Sequence, residues 1–197
     1  MVLIKSVVVP KMVSLDAYFR AEEKSLTKNE YHNGIIYPMA GGKLKHNRLA
    51  QKVASLMDAF IDNENLDYIV SNSDTKIRIE NFNKIVYPDA VVICEMPEYF
   101  NQREDTITNP TLVVEVLSVS TQRHDHTTKF ELYRTLPSFR EYVLIHQDRY
   151  HVVVWTKQDT GAWLPNDYIG NDAIAVLYSL QSCPLPLERL YRGIQIL

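Results

Sequence analysis

The chain predicts an α/β fold, a mixed central β-sheet flanked by helices. Three observations carry this expectation. Val86–Ile93 and Leu112–Leu117 are apolar, β-branched runs of the kind found in strands buried on both faces. Leu44–Asn63 places Leu49, Val53, Leu56, Met57 and Phe60 on one face of a helix. Glu141–Ile145 and Tyr150–Thr156 are strand-like segments joined by the polar turn His146–Arg149, a hairpin pattern. Sheet segments with at least two amphipathic helices must bury their apolar faces against one another.

The remaining elements follow in order. Ser14 is suited to cap a helix from Leu15 to Lys24, with Asp16 in its first turn. Glu30–Met39 reads as a strand pair turned by Asn33-Gly34. Gly41-Gly42 breaks the chain before the long helix. Strands are expected at Tyr68–Ser71 and Thr75–Ile79. Arg123–Thr135 has helical character and stops at Leu136-Pro137. Ala173–Leu180 is a further strand candidate, and Leu185–Arg192 a short closing helix.

At 197 residues, without linker, repeat or low-complexity stretch, residues 1–197 are expected to form a single domain. A net charge of −3 argues against a general nucleic-acid-coating protein but allows an enzyme with a local basic groove. Lys43, Lys45, Arg48 and Lys52, with Arg123 and Arg134, are candidates to line one, although each is individually an ordinary solvated helix residue. Cys94 and Cys183 lack metal-ligand spacing and point to a reducing, cytoplasmic setting. No signal-peptide pattern and no membrane-length apolar run is present, so no membrane association is expected.

The feature that demands an explanation is Glu115, an acid in the middle of Thr111-Leu112-Val113-Val114-Glu115-Val116-Leu117. An ionised carboxylate buried there is costly unless paired. Asp89 stands at the mouth of the other apolar run, in Tyr87-Pro88-Asp89-Ala90. Neighbouring strands would bring both acids together, a simple way to hold Mg²⁺ or Mn²⁺. Lys129, on the following helix, could reach them, with Asp125 four residues before it. Carboxylates, a divalent cation and a lysine are the needs of phosphodiester hydrolysis: phosphate polarisation, water activation and charge balance.

The bland readings are specific. Glu115 could form a structural ion pair with Arg123 or Arg140, but such pairs stabilise poorly. Asp125 and Lys129 could be an exposed i, i+4 pair. His46, on the inward side of the long helix, could be a satisfied core histidine or a substrate contact. Glu30 could lie on a solvated strand face. His124 and His126 beside Asp125 read as polar surface rather than a zinc cluster.

Pro88-Asp89 followed by Glu115-Val116-Leu117 resembles the PD-(D/E)xK nuclease signature, with Leu117 in the lysine position. The block Glu115-Val116-Leu117-Ser118-x-Ser120-Thr121, continued by Asp125-x-x-x-Lys129-x-x-x-Tyr133, resembles the Uma-type (Uma-two) family of restriction-endonuclease-like proteins. Leu15–Tyr18, Glu30-Tyr31-x-x-Gly34, His46 and Pro137–Ile145 extend the likeness over roughly Val13–Tyr150. One departure is Val119 where the family turn carries proline.

The resemblance implies a restriction-endonuclease-like core and a Mg²⁺- or Mn²⁺-dependent endonuclease acting on nucleic acid, DNA before RNA. It implies that Asp89 and Glu115 bind the metal, with the Val116 carbonyl as a further ligand. It implies that the lysine has moved to the next helix as Lys129, where it positions the attacking water, and that Glu30 lies close to the metal. His46 and Asp125 are supporting candidates. A homodimer is expected by analogy with enzymes that cut two strands. The rival reading is a catalytically inactive nucleic-acid-binding or protein-interaction module that retains the fold.

Overall fold

A computed structural model describes residues 12–117 and 128–196. Helix α1 (Leu15–Glu22) starts at Ser14, whose hydroxyl accepts from the Ala17 N–H at 3.2 Å. Strands β1 (Asn29–His32) and β2 (Ile35–Pro38) form the expected hairpin, with Asn33 and Gly34 both at positive φ. Helix α2 (Leu44–Asn63) has the expected bounds and buries Leu49, Val53, Met57 and Ile61. Leu56 and Phe60 flank that stripe half-buried.

Next come β3 (Ile69–Asn72), β4 (Lys76–Ile79), β5 (Lys84–Val86), β6 (Ala90–Ile93), the short β7 (Thr106–Ile107) and β8 (Leu112–Leu117). Helix α3 (Phe130–Tyr133) precedes β9 (Glu141–His146) and β10 (His151–Lys157), the expected hairpin. The chain ends with β11 (Trp163–Ile169), β12 (Ile174–Leu177), β13 (Cys183–Pro186) and α4 (Leu187–Tyr191).

Among the described residues, one sheet runs β11-β10-β9-β8-β6-β3 and a second runs β2-β1-β5-β4-β7. The larger is mixed: β8 and β9 are parallel, while β6 pairs antiparallel with β8. Alternation along β8 assigns its two faces. Val114 and Val116 join the core beneath α2, α4 and the β12–β13 pair, and Val113 and Leu117 join the core shared with α3, β4 and β5.

Three differences from the sequence expectation matter. The single strand expected over Val86–Ile93 is divided: β5 belongs to the smaller sheet, β6 to the larger, and Tyr87-Pro88-Asp89 crosses between them. Pro88 has no N–H for a ladder, so the break falls there. Strands β7, β11 and β13 have no counterpart among the expected strands. Trp163–Ile169 carries Pro165 and a mostly exposed polar face, the pattern of an edge strand, and Cys183–Pro186 alternates prolines with buried residues. Ala173–Leu180 is strand only to Leu177 before a tight helical turn. The expected helix over Arg123–Thr135 is described only from its last turns, and Asp125, His124, His126 and Arg123 lie outside the described residues.

Candidate active site

The β5–β6 crossover builds the site. The backbone N–H of Asp89 donates to the Val114 carbonyl at 3.1 Å, and the Val116 N–H donates to Asp89 Oδ2 at 2.7 Å. These bonds extend the β6–β8 register by one step and set Asp89 across from Glu115. Both acids line a cleft of about 890 Å³, with His46, Lys129 and Gln147 also in its wall.

Glu115 is buried and projects towards α3, on the face of Val113 and Leu117. Its Oε1 accepts from Lys129 Nζ and from the Tyr133 hydroxyl, each at 3.1 Å. Lys129 and Tyr133 are four residues apart, so one helical face presents both groups to the strand. Lys129 is itself buried. It also donates to the Tyr87 carbonyl at 3.1 Å and lies 3.3 Å from Glu30 Oε1. Glu30 in turn accepts from the Tyr87 N–H at 3.4 Å and contacts His32 Nε2 at 3.0 Å. Burial pushes the Glu30 carboxyl up, but the Lys129 ammonium and His32 more than offset this and hold it at about 2.

From the other face, the first turn of α2 brings His46 Nε2 to 3.2 Å from Asp89 Oδ2. Gly42 makes this approach possible. A Cβ there would overlap Asn47 Oδ1 and stand 2.9 Å from His46 Nδ1, while Asn47 Nδ2 donates to the Gly42 carbonyl at 3.1 Å.

Five of the six residues singled out in the sequence, Glu30, His46, Asp89, Glu115 and Lys129, therefore meet around one crossover. The structural partner of Glu115 is Lys129, whereas Arg140 donates to the Pro137 and Phe139 carbonyls. Tyr133 was part of the quoted motif without an assigned role; its i, i+4 relation to Lys129 was the signal. Tyr87 acts through its backbone and left none. The expected basic groove is thinner than the sequence indicated. Lys43 lines the cleft, joined by Lys28. Lys52 instead donates to the Arg189 and Arg192 carbonyls at the end of α4, and Arg134 pairs with Glu131.

Lys129 Nζ contacts Glu30 and Glu115, Asp89 contacts His46, and Lys28 and Lys43 stand further along the cleft wall, so three carboxylates gather around a single ammonium at the crossover among the described residues. Hard carboxylate oxygen donors fit Mg²⁺ or Mn²⁺ rather than zinc. No three His, Cys, Asp or Glu side chains among the described residues form a ready-made metal cage. Mg²⁺ does not need one, since it is commonly held by one or two carboxylates with water and substrate phosphate.

The Uma2 family model, described as "Putative restriction endonuclease", matches residues 15–187. Two Synechocystis sp. proteins, both described as uncharacterized, are 34% identical over 163 residues (83% of this chain, 91% of the relative) and 33% identical over 187 residues (94% of each). The crystal structure of "a putative nuclease belonging to DUF820" from Anabaena variabilis has the same fold, with a TM-score of 0.72 at 16% identity, covering 93% of this chain and 99% of that one. No helix among the described residues is long and apolar enough to cross a membrane. With the matched region running from α1 to the start of α4 and containing every residue of the site, the chain belongs to the Uma2 family of restriction-endonuclease-like proteins.

Proposed function

We propose that this protein is a Mg²⁺- or Mn²⁺-dependent endonuclease that hydrolyses phosphodiester bonds in nucleic acid, with DNA as the first substrate to test. The observation that carries the reading is the convergence of Asp89 and Glu115, from adjacent strands, with the buried ammonium of Lys129 at one cleft. A cation bound there would polarise the phosphate and lower the pKa of a water.

The chain's own groups supply the rest. Asp89 and Glu115 hold the cation's position, and the Val116 N–H fixes Asp89 in place. Lys129 orients the attacking water and balances charge that develops on the phosphate. Tyr133 fixes the Glu115 carboxylate, and Glu30 with the Tyr87 carbonyl fixes the ammonium. His46 steadies Asp89 and stands at the cleft wall, where a phosphate would pass. Cutting both strands of a duplex would require two such sites, so the active form is proposed to be a homodimer.

The test is cleavage of plasmid, single-stranded DNA and RNA, each with Mg²⁺, Mn²⁺ or EDTA, by the protein and by Asp89→Asn. Metal-dependent cleavage lost in the variant supports the reading. Binding without cleavage by either protein under any metal condition overturns it in favour of an inactive nucleic-acid-binding module.

A further inference from the structure

A second, smaller pocket of about 290 Å³ adjoins the cleft and shares Leu26, Thr27, Lys28 and Tyr87 with it. The ridge between them is the loop joining α1 to β1, and Leu26 stands fully exposed at its tip. A single exposed leucine is ordinary on a protein surface. This one sits on a tied-down loop. The Ser25 hydroxyl donates to the Thr27 carbonyl at 2.6 Å and accepts from the Thr27 N–H at 3.2 Å. Asn29 Nδ2 donates to the same carbonyl at 2.8 Å, and the Asn29 N–H donates to Glu22 Oε1 at 2.8 Å. On the far side, Lys28 Nζ reaches the Ser73 carbonyl at 2.6 Å and Asp74 at 2.7 Å. The loop is thus built to hold an apolar side chain out into solvent between two openings.

The chemistry of the small pocket selects its guest. Lys28, Lys76 and Arg103 are already paired there with Asp74, Asp105 and Glu23. A fourth acid on the wall, Glu22, accepts from Asn29 and from the Tyr87 hydroxyl, so each charged group of the pocket is already engaged and none is poised to hold a phosphate. These groups offer alternating donors and acceptors to a neutral, dipolar guest, and the volume is at the small end for ligand pockets, roughly 300–1,000 Å³. The edge of a nucleobase has that character.

Resting on the nuclease reading of the adjacent cleft, we propose that Leu26 is a wedge that enters the base stack of bound DNA, and that the pocket behind it receives the unstacked nucleobase. Apolar side chains inserted between base steps are a general way to unstack and kink DNA, and extruded bases are read by pockets with polar walls. Leu26 would therefore set the substrate class: nucleic acid that is already distorted or easily unstacked at the bound position is preferred over a regular duplex.

The experiment uses the full chain carrying Glu115→Gln, with Mg²⁺, and DNA duplexes bearing 2-aminopurine at successive positions. Binding is followed by anisotropy and unstacking by 2-aminopurine fluorescence, with Leu26→Ser made in the same background. The expected result is a severalfold fluorescence rise at one or two positions, lost in Leu26→Ser while binding persists. In the chain with Glu115 intact, Leu26→Ser should slow cleavage of regular duplex by roughly tenfold and affect a duplex with a mismatch at that position less. Binding without any fluorescence rise, or an equal rise in Leu26→Ser, overturns the wedge and leaves the nuclease reading standing. Absence of duplex binding in both proteins overturns the wedge, and the nuclease reading is then decided separately by the cleavage test on single-stranded DNA and RNA.

Discussion

Glu115 and Glu141 are both carboxylates buried in apolar strands, on the parallel neighbours β8 and β9, yet their surroundings differ in kind. Glu141 accepts four bonds from uncharged donors: the Thr156 hydroxyl at 3.1 Å, the Tyr178 N–H at 3.0 Å, and the Ser179 N–H and hydroxyl at 3.1 and 2.7 Å. It sits at the start of β9, away from the cleft, and clamps the turn after β12 to the sheet. Burial raises its pKa, and the hydrogen bonds recover only part of that shift. Glu115 lies nearer the carboxyl end of the parallel pair, where open α/β sheets place ligands. It shares a buried ammonium with Glu30, and a cleft reaches it. A buried acid is thus not itself a sign of function. What separates Glu115 from Glu141, and what the proposed function rests on, is a cation partner, a second acid across the strand and access from the cleft.

The largest separation between the two should be in activity. Glu115→Gln should lower kcat for metal-dependent cleavage by roughly 10³-fold, and Glu141→Gln by less than tenfold. Equal losses, measured on equally folded protein, would remove the distinction.

Lys129→Met leaves Glu30 and Glu115 without their buried cation. It should cost about 3–5 kcal/mol in urea unfolding, and Glu141→Gln about 1–3 kcal/mol. A Lys129→Met protein as stable as its parent would show that the charge cluster is not held by that ammonium.

The two kinds of buried acid should also give opposite pH dependence. Glu30 ionises at about 2 in the folded chain against an ordinary 4.5, so on acidification the unfolded state takes up its proton first. Its contribution, on the order of 3 kcal/mol, is present above pH 4.5 and is lost as pH falls towards 2. The folded-state pKa of Glu141 is raised, so there the folded state takes up its proton first and stability grows as pH falls through that window. Glu30→Gln should flatten the acid loss, and Glu141→Gln should steepen it. Denaturant midpoints between pH 2 and 7 decide this.

The smallest effect is expected at Tyr133. Removing its hydroxyl in Tyr133→Phe should cost about 1 kcal/mol of stability and lower kcat more than it changes KM. A change in KM alone would make Tyr133 a binding residue.

Much of this was legible in the sequence for physical reasons. The β8 run and the α2 stripe are strong periodic signals, and Glu115 was conspicuous because it violates one of them. Glu141 was not conspicuous, because it stands at a strand end where an acid usually meets water. Its burial depends on Tyr178 and Ser179, far along the chain. The division at Tyr87-Pro88-Asp89 was written in Pro88, but that β5 and β6 enter different sheets is a tertiary result. The same holds for Lys52, whose basic charge looked suited to a groove until α4 placed two carbonyls within its reach. Lys28 joins the cleft only because the α1–β1 loop packs beside Ser73, a contact with no local signature.

The most direct test is thermal unfolding of the protein, Glu115→Ala and Glu141→Gln, each with and without millimolar Mg²⁺ or Mn²⁺. A cation that binds only the folded state at 100 times its Kd adds about 2.7 kcal/mol, which for a chain of this size raises Tm by roughly 5–10 °C. The prediction is a rise for the parent and for Glu141→Gln and none for Glu115→Ala. An equal rise in all three, or no rise in the parent, would contradict a metal site at Glu115.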